Sequence, residues 1–157
     1  MARVQVLVRS GMLVVAAVVA LLGASAGNAQ AGERPIPDAE YFSLLALTLD
    51  EESVEVPLRN GDESLGYNKA CWRHNLCSVR VIEAAVSGQG NKEPLGGVRW
   101  RYTAHVVGDG THIVVKVVTH MGLDSRRAPR TPDAMPVGVI TAYCDGMLRC
   151  PDVINSL

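Results

Sequence analysis

Val98-Arg99-Trp100-Arg101-Tyr102-Thr103-Ala104-His105-Val106-Val107-Gly108-Asp109-Gly110-Thr111-His112-Ile113-Val114-Val115-Lys116-Val117-Val118-Thr119-His120-Met121 is a pair of β-rich runs around an Asp-Gly step. Asp-Gly favours a two-residue hairpin turn, because both turn positions require positive φ. With Asp109 and Gly110 in the turn, Gly108 pairs with Thr111 and Val107 with His112. Side chains alternate between the faces of a strand. One face then carries Val98, Trp100, Tyr102, Ala104 and Val106 opposite Met121, Thr119, Val117, Val115 and Ile113. It is nearly all apolar and must face a core. The other face carries Arg99, Arg101, Thr103, His105, Val107, His112, Val114, Lys116, Val118 and His120. A slip of one residue would mix the two sets, so the clean division fixes the register as well as the strands.

That second face is basic. Arg99, Arg101, His105, His112, Lys116 and His120 are therefore the candidate binding residues, suited to an acidic protein, an anionic ligand or a charged envelope polymer. The competing expectation is a solvated face, or one covered by the acidic N-terminal part of the chain. His105 and His112 fall on a diagonal across the hairpin, within reach of one metal ion only if a third ligand is supplied, so no metal and no cofactor is expected.

Outward from the hairpin, the charge divides unevenly. Residues 32 to 66 hold two basic and nine acidic side chains; residues 67 to 157 hold eleven basic and seven acidic. These halves can pair across one fold or present two signs to a partner. The total for residues 32 to 157 is slightly acidic, and nothing in it calls for nucleic acid.

The chain opens with Arg3 and Arg9, then an uncharged stretch from Ser10 to Gln30 whose dense apolar part is Met12 to Leu22. A positive start, a short apolar centre and small residues make a cleavable signal peptide over residues 1–31, cut after Ala26 or after Ala31. The apolar centre is about half the roughly 20 residues that a spanning helix needs. Residues 32–157 are then a single exported α+β domain, periplasmic or secreted, without stable membrane insertion after cleavage.

Four cysteines lie beyond that segment: Cys71, Cys77, Cys144 and Cys150. An even count in an exported chain predicts disulfides. Three connectivities exist, and Cys71–Cys77 with Cys144–Cys150 is preferred. Each local pair needs a turn, since residues six apart on a regular helix point away from each other. Asp145-Gly146 supplies one, and Asn75 can supply the other. Cross-pairing would instead tie the middle of the chain to its end. Zinc on the four cysteines and His74 is disfavoured, because structural zinc prefers two to four residues between paired cysteines.

Residues 33–37 are Pro-rich and extended. Asp38 caps a helix to about Leu49, although Phe42 and Leu47 spoil its stripe and a strand is the alternative. Val54, Val56 and Leu58 alternate as a short edge strand with Pro57 in it, and Asn60-Gly61-Asp62 turns. Ser78 to Val86 reads as a strand, Gly88 to Gly97 as a loop, Asp124 to Pro136 as a Pro-rich loop bearing Arg126, Arg127 and Arg130, and Val137 to Tyr143 as a last strand. The expected architecture is an N-terminal helix packed on a mainly antiparallel sheet of about five strands, stapled by disulfides.

No Gly-x-Ser-x-Gly, His-Glu-x-x-His or P-loop occurs, so no catalytic residue is assigned. The expected function is non-catalytic binding, for example an inhibitor or immunity-type protein that masks another protein in the cell envelope. The alternatives are a small envelope hydrolase, which would need one of its His beside Ser or Asp, and a structural component of an envelope assembly.

Overall fold

The structure is a computed structural model that describes residues 40–108, 110–124 and 130–157. The expected signal segment, the Pro-rich stretch, Asp38, Asp109, Arg126 and Arg127 lie outside the described residues. The architecture is α+β, with two antiparallel sheets, two α-helices and two disulfides among those residues. No described helix is long and apolar enough to cross a membrane.

The order is β1 (Leu44–Leu49), β2 (Glu55–Arg59), α1 (Gly66–His74), α2 (Val79–Ser87), β3 (Lys92–Gly96), β4 (Arg99–Gly108), β5 (Thr111–His120), β6 (Gly138–Cys144) and a final 3-10 turn, Asp152–Ser156. β1 and β2 form a two-stranded sheet; β3, β4, β5 and β6 form a four-stranded sheet in that order. Helix α2 packs on β1 and also on β4 and β5, while α1 lies against β6.

The hairpin follows the register read from its residues. Gly108 faces Thr111, Val107 faces His112, and pairing runs without a break to Arg99 opposite His120. Tyr102, Ile113, Val115, Val117 and Thr119 are buried, with Trp100, Ala104, Val106 and Met121 packed at the margin. Val98, at the open end, is an exception and stays exposed.

Two assignments change. The expected helix from Asp38 is strand β1. Its Ala46 and Thr48 turn toward α2, Thr48 reaching Glu83, while Leu45, Leu47 and Leu49 turn outward at 43%, 43% and 55% exposure. This alternation of period two is the pattern that Phe42 and Leu47 made irregular for a helix. β1 pairs with β2 on one side, and no described strand pairs with its other edge. Conversely, the expected strand Ser78–Val86 is helix α2. Ser78 caps it by accepting a hydrogen bond from Val81 N. Val81, Ile82, Ala85 and Val86 are buried while Arg80, Ala84 and Ser87 are exposed, a helical stripe that β-branched content obscured. The expected single sheet is thus split in two, with α2 between its parts.

Two elements come from stretches read as connections. β3 arises inside the expected loop 88–97 and pairs with β4 at the sheet edge, where Pro94 is tolerated. Helix α1 has no apolar stripe to announce it. It ends at Asn75, whose left-handed backbone (φ 56°) returns the chain, with Asn75 N bonded to Cys71 O and Leu76 N to Ala70 O.

Gly138 shows how tightly the two sheets meet. It has φ +81°, and a Cβ there would lie 2.0 Å from Pro57 O, so only glycine lets β6 start against β2.

Candidate functional site

The six hairpin residues share one face, but most have partners within the chain. Arg101 pairs with Glu93 of β3 at 3.1 Å, and Lys116 with Asp145 at 2.8 Å. His105 Nδ1 lies 2.9 Å from His112 Nε2, the two rings meeting edge to edge with their planes inclined by 18°. His120 Nε2 lies 2.6 Å from Asp124 O. Arg99 is exposed. The face is basic in sequence, yet two of its three permanent cations are offset by acids on the neighbouring strand β3 and on the residue after β6. Arg130, the described member of the Arg loop, is exposed.

The acidic and basic halves do pair across the fold, in the interior. The Asp50 carboxylate, fully enclosed, accepts hydrogen bonds from Lys92 Nζ (2.8 Å), Tyr102 Oη (2.9 Å) and the amides of Glu52 and Val54; Lys92 also pairs with Glu52 and lies over the Trp100 ring. Burial pushes the Asp50 carboxyl up, but these donors outweigh it and hold the group below its ordinary 3.8. Burial likewise opposes the Lys92 charge, and the two carboxylates outweigh it, so its pKa rises. The Tyr102 hydroxyl is pushed well above the ordinary phenol range, by burial first and then by donating to Asp50. The network is a strut that joins the β1–β2 corner to β3 and β4.

These shifts set a pH window. Asp50 and Asp133, the latter lowered chiefly by its bond to Arg59, have folded values below their unfolded ones. Their stabilisation is present above about pH 4 and is lost as pH falls through the folded values. Lys92 is raised, so its share is intact below 10.5 and is lost as pH rises beyond that. His74 is lowered, mainly by burial, so its share is present above 6.5 and declines below it as the unfolded chain takes up the proton. Urea midpoints therefore hold level between about pH 7 and pH 9, fall slightly toward pH 5 and fall steeply below pH 4. A midpoint that rises on acidification below pH 4 would contradict this.

The larger feature is the end of the molecule where the disulfides meet. Cys71–Cys77 and Cys144–Cys150 are both local, with Cα atoms 4.4 and 5.3 Å apart. Asn75 and Asp145-Gly146 supply the two turns. The tie between mid-chain and terminus that cross-pairing would have made is formed by hydrogen bonds instead. Cys150 N donates to His74 O (2.7 Å), Asn75 Nδ2 to Cys150 O (2.9 Å) and Asp152 (2.8 Å), and Arg149 to Trp72 O (3.0 Å). The 3-10 turn adds Asn155 Oδ1, which accepts from Cys77 N at 2.7 Å, and Asn155 Nδ2, which donates to Asn75 O at 3.0 Å.

Both closed loops display apolar side chains outward. Leu148 is 92% exposed, Trp72 56% and Met147 45%. Arg73 and Arg149, both exposed, and Lys69 stand close enough to His74 to depress its pKa, beneath which burial is the larger cause. The His74 ring meets Tyr143 at 5.8 Å, and Tyr143 sits directly opposite Lys116 on the basic face of the large sheet. Asp145, within the second loop, pairs with Lys116 and donates its amide to Val114 O. The disulfide end and the hairpin face therefore adjoin. Comparison with protein-family models, with curated proteins and with solved structures finds no match for this chain.

Sequence reasoning identified the cysteines and their pairing but not Trp72, Met147 and Leu148. A short closed loop buries only part of its apolar content: Leu76 is fully enclosed in the core, and Trp72, Met147 and Leu148 are left outside.

Proposed function

We propose that this chain is an exported, non-catalytic binding domain that grips another protein with its disulfide end. The observation that carries the reading is the exposure of Trp72, Met147 and Leu148 on two loops that are each closed covalently and bonded to each other. Interface energy concentrates in a few anchors, among which Trp, Tyr and Arg are enriched. Loops already held in shape lose little entropy on binding, which favours tight association. The rim is cationic through Arg73 and Arg149, so the partner is a protein surface with an apolar pocket edged by acids. An inhibitor or immunity-type role is the concrete form. Export to the periplasm or beyond fits the two disulfides, which persist in oxidising compartments.

A non-catalytic role is further supported by the histidines. The described rings bond to one another or to backbone: His105 to His112, His120 to Asp124 O, and His74 to the Leu148 backbone. None of these contacts prepares a nucleophile.

Capture from a native extracytoplasmic extract tests the reading. Tagged wild-type domain retains a stoichiometric protein partner, and Leu148→Asp or Trp72→Ala weakens retention about thirtyfold or more. Circular dichroism of both variants stays that of the wild type. Retention unchanged in these two but lost on charge reversal at Arg99, Arg101 and Lys116 would move the contact to the hairpin face and overturn the assignment.

A further inference from the structure

We propose that His105 and His112 form a surface chelate for a divalent transition-metal cation, with Cu2+ held most tightly and Ni2+ and Zn2+ less so. The site goes beyond the binding role above and does not depend on it.

The two residues stand on adjacent strands, His105 opposite Val114 and His112 opposite Val107. Their nearest ring nitrogens, Nδ1 of His105 and Nε2 of His112, are 2.9 Å apart, with ring centroids at 5.1 Å and planes inclined by 18°. Bonds of about 2.0–2.1 Å from one cation to two imidazoles, meeting near a right angle, place the nitrogens about 2.9 Å apart. That is the spacing already present. Coordination requires both rings to turn, so that their lone pairs converge on one point and not on each other.

The scaffold fixes the two attachment points firmly. The hairpin pairs continuously from Arg99–His120 to Gly108–Thr111, so the two imidazoles are delivered by a fixed register rather than by a loop. Both residues are exposed, which leaves further coordination positions open to water or to a ligand from outside. The flanking residues on this face are Thr103, Val107 and Val114, none of them charged. Lys116, the nearest cation in the pairing, is held by Asp145. Among the described residues no group of three His, Cys, Asp or Glu gathers, so the chain supplies two ligands and not a closed structural site.

Proton balance is simple. In the neutral pair one of the two facing nitrogens carries the hydrogen that the other accepts. On metal binding that proton moves to the far nitrogen of the same ring, through solvent, and both facing nitrogens become ligands. Imidazole donors with open positions suit Cu2+, which leads the divalent series in affinity.

Titration of the mature domain with CuCl2, followed by calorimetry and by electron paramagnetic resonance, tests the site. One equivalent binds, with a spectrum of two nitrogen donors. His105→Asn or His112→Asn weakens affinity at least tenfold, whereas His120→Asn and His74→Asn leave it unchanged. In the wild-type protein, which avoids any question of variant folding, sub-stoichiometric Cu2+ broadens amide NMR signals first around residues 105 and 112. Equal affinity in the two sets of variants, or broadening centred elsewhere, overturns the proposal.

Discussion

Replacing Asp133 by Ala lowers the free energy of unfolding by about 3 kcal/mol, the lower end of the loss when a buried ion pair is left with one member. The member left behind is Arg59. Its side chain is fully buried, and it is held by Asp133 through two bonds of 2.9 Å, by Phe42 O at 2.9 Å and by Pro136 O at 3.2 Å. Asp133 itself is 39% exposed, which is why the lower figure applies. Without that carboxylate the guanidinium keeps two carbonyl acceptors and no countercharge. The pair also ties residues 133–136 to Arg59 at the end of β2, so its loss loosens the chain that leads into β6. Arg59→Met combined with Asp133→Leu regains part of the stability, because the buried charge is gone. The regain is incomplete, since Phe42 O and Pro136 O lose their donor. Urea denaturation of the three proteins measures this. A midpoint for Asp133→Ala equal to wild type would show that Arg59 finds full compensation elsewhere.

The second large effect is on the disulfides. Each closes a ring of seven residues. Chain-entropy arguments give such a ring about 2 kcal/mol. Replacing Cys144 and Cys150 by Ser is expected to cost more than that, because the carbonyl and amide of Cys150 are two of the groups that fasten the terminal turn to His74 and Asn75. Replacing all four cysteines costs about 4–5 kcal/mol or more. Natural domains have only about 5–15 kcal/mol in total. The four-Ser protein is therefore largely unfolded at 37 °C, whereas each two-Ser protein folds with a lower midpoint. Reduction of the wild type with dithiothreitol gives the same order. A reduced protein with an unchanged melting curve would show that the hydrogen bonds between the loops suffice alone.

How much of this was readable from the residues depended on how locally each feature is encoded. The hairpin was legible to the last pair because an Asp-Gly turn and two clean faces admit one register. The disulfides were legible because Asn75 and Asp145-Gly146 provide turns inside the only two short spacings. β1 and α2 were exchanged for each other's type. In Leu44–Leu49 the outward positions are leucines rather than polar residues, which hides the alternation. In Val79–Ser87 the β-branched valines and isoleucine suggest a strand while the buried set 81, 82, 85 and 86 follows a helix. Packing of α2 between two sheets resolved both, and tertiary contacts of that kind leave no trace in a short window. β3 depends on an edge that only β4 offers. The hairpin register does place the six basic side chains on one face, but Glu93 and Asp145 offset it from β3 and from the residue after β6. Neither neighbour could be placed before the strand order was known. The same holds for the coming together of the two disulfide loops, which puts Trp72 and Leu148 at one end of the protein.

Site-specific photo-crosslinking in the producing cell tests whether the disulfide end is the contact surface. A benzophenone amino acid is placed at Leu148, at Met147 and, for comparison, at Ala84 on the exposed side of α2 and at Leu47 on the open edge of β1. One discrete protein adduct forms from positions 148 and 147, and none forms from 84 or 47. Adducts from Leu47 alone, whether to another protein or to a second copy of this chain, would contradict it and place the contact on the β1 edge.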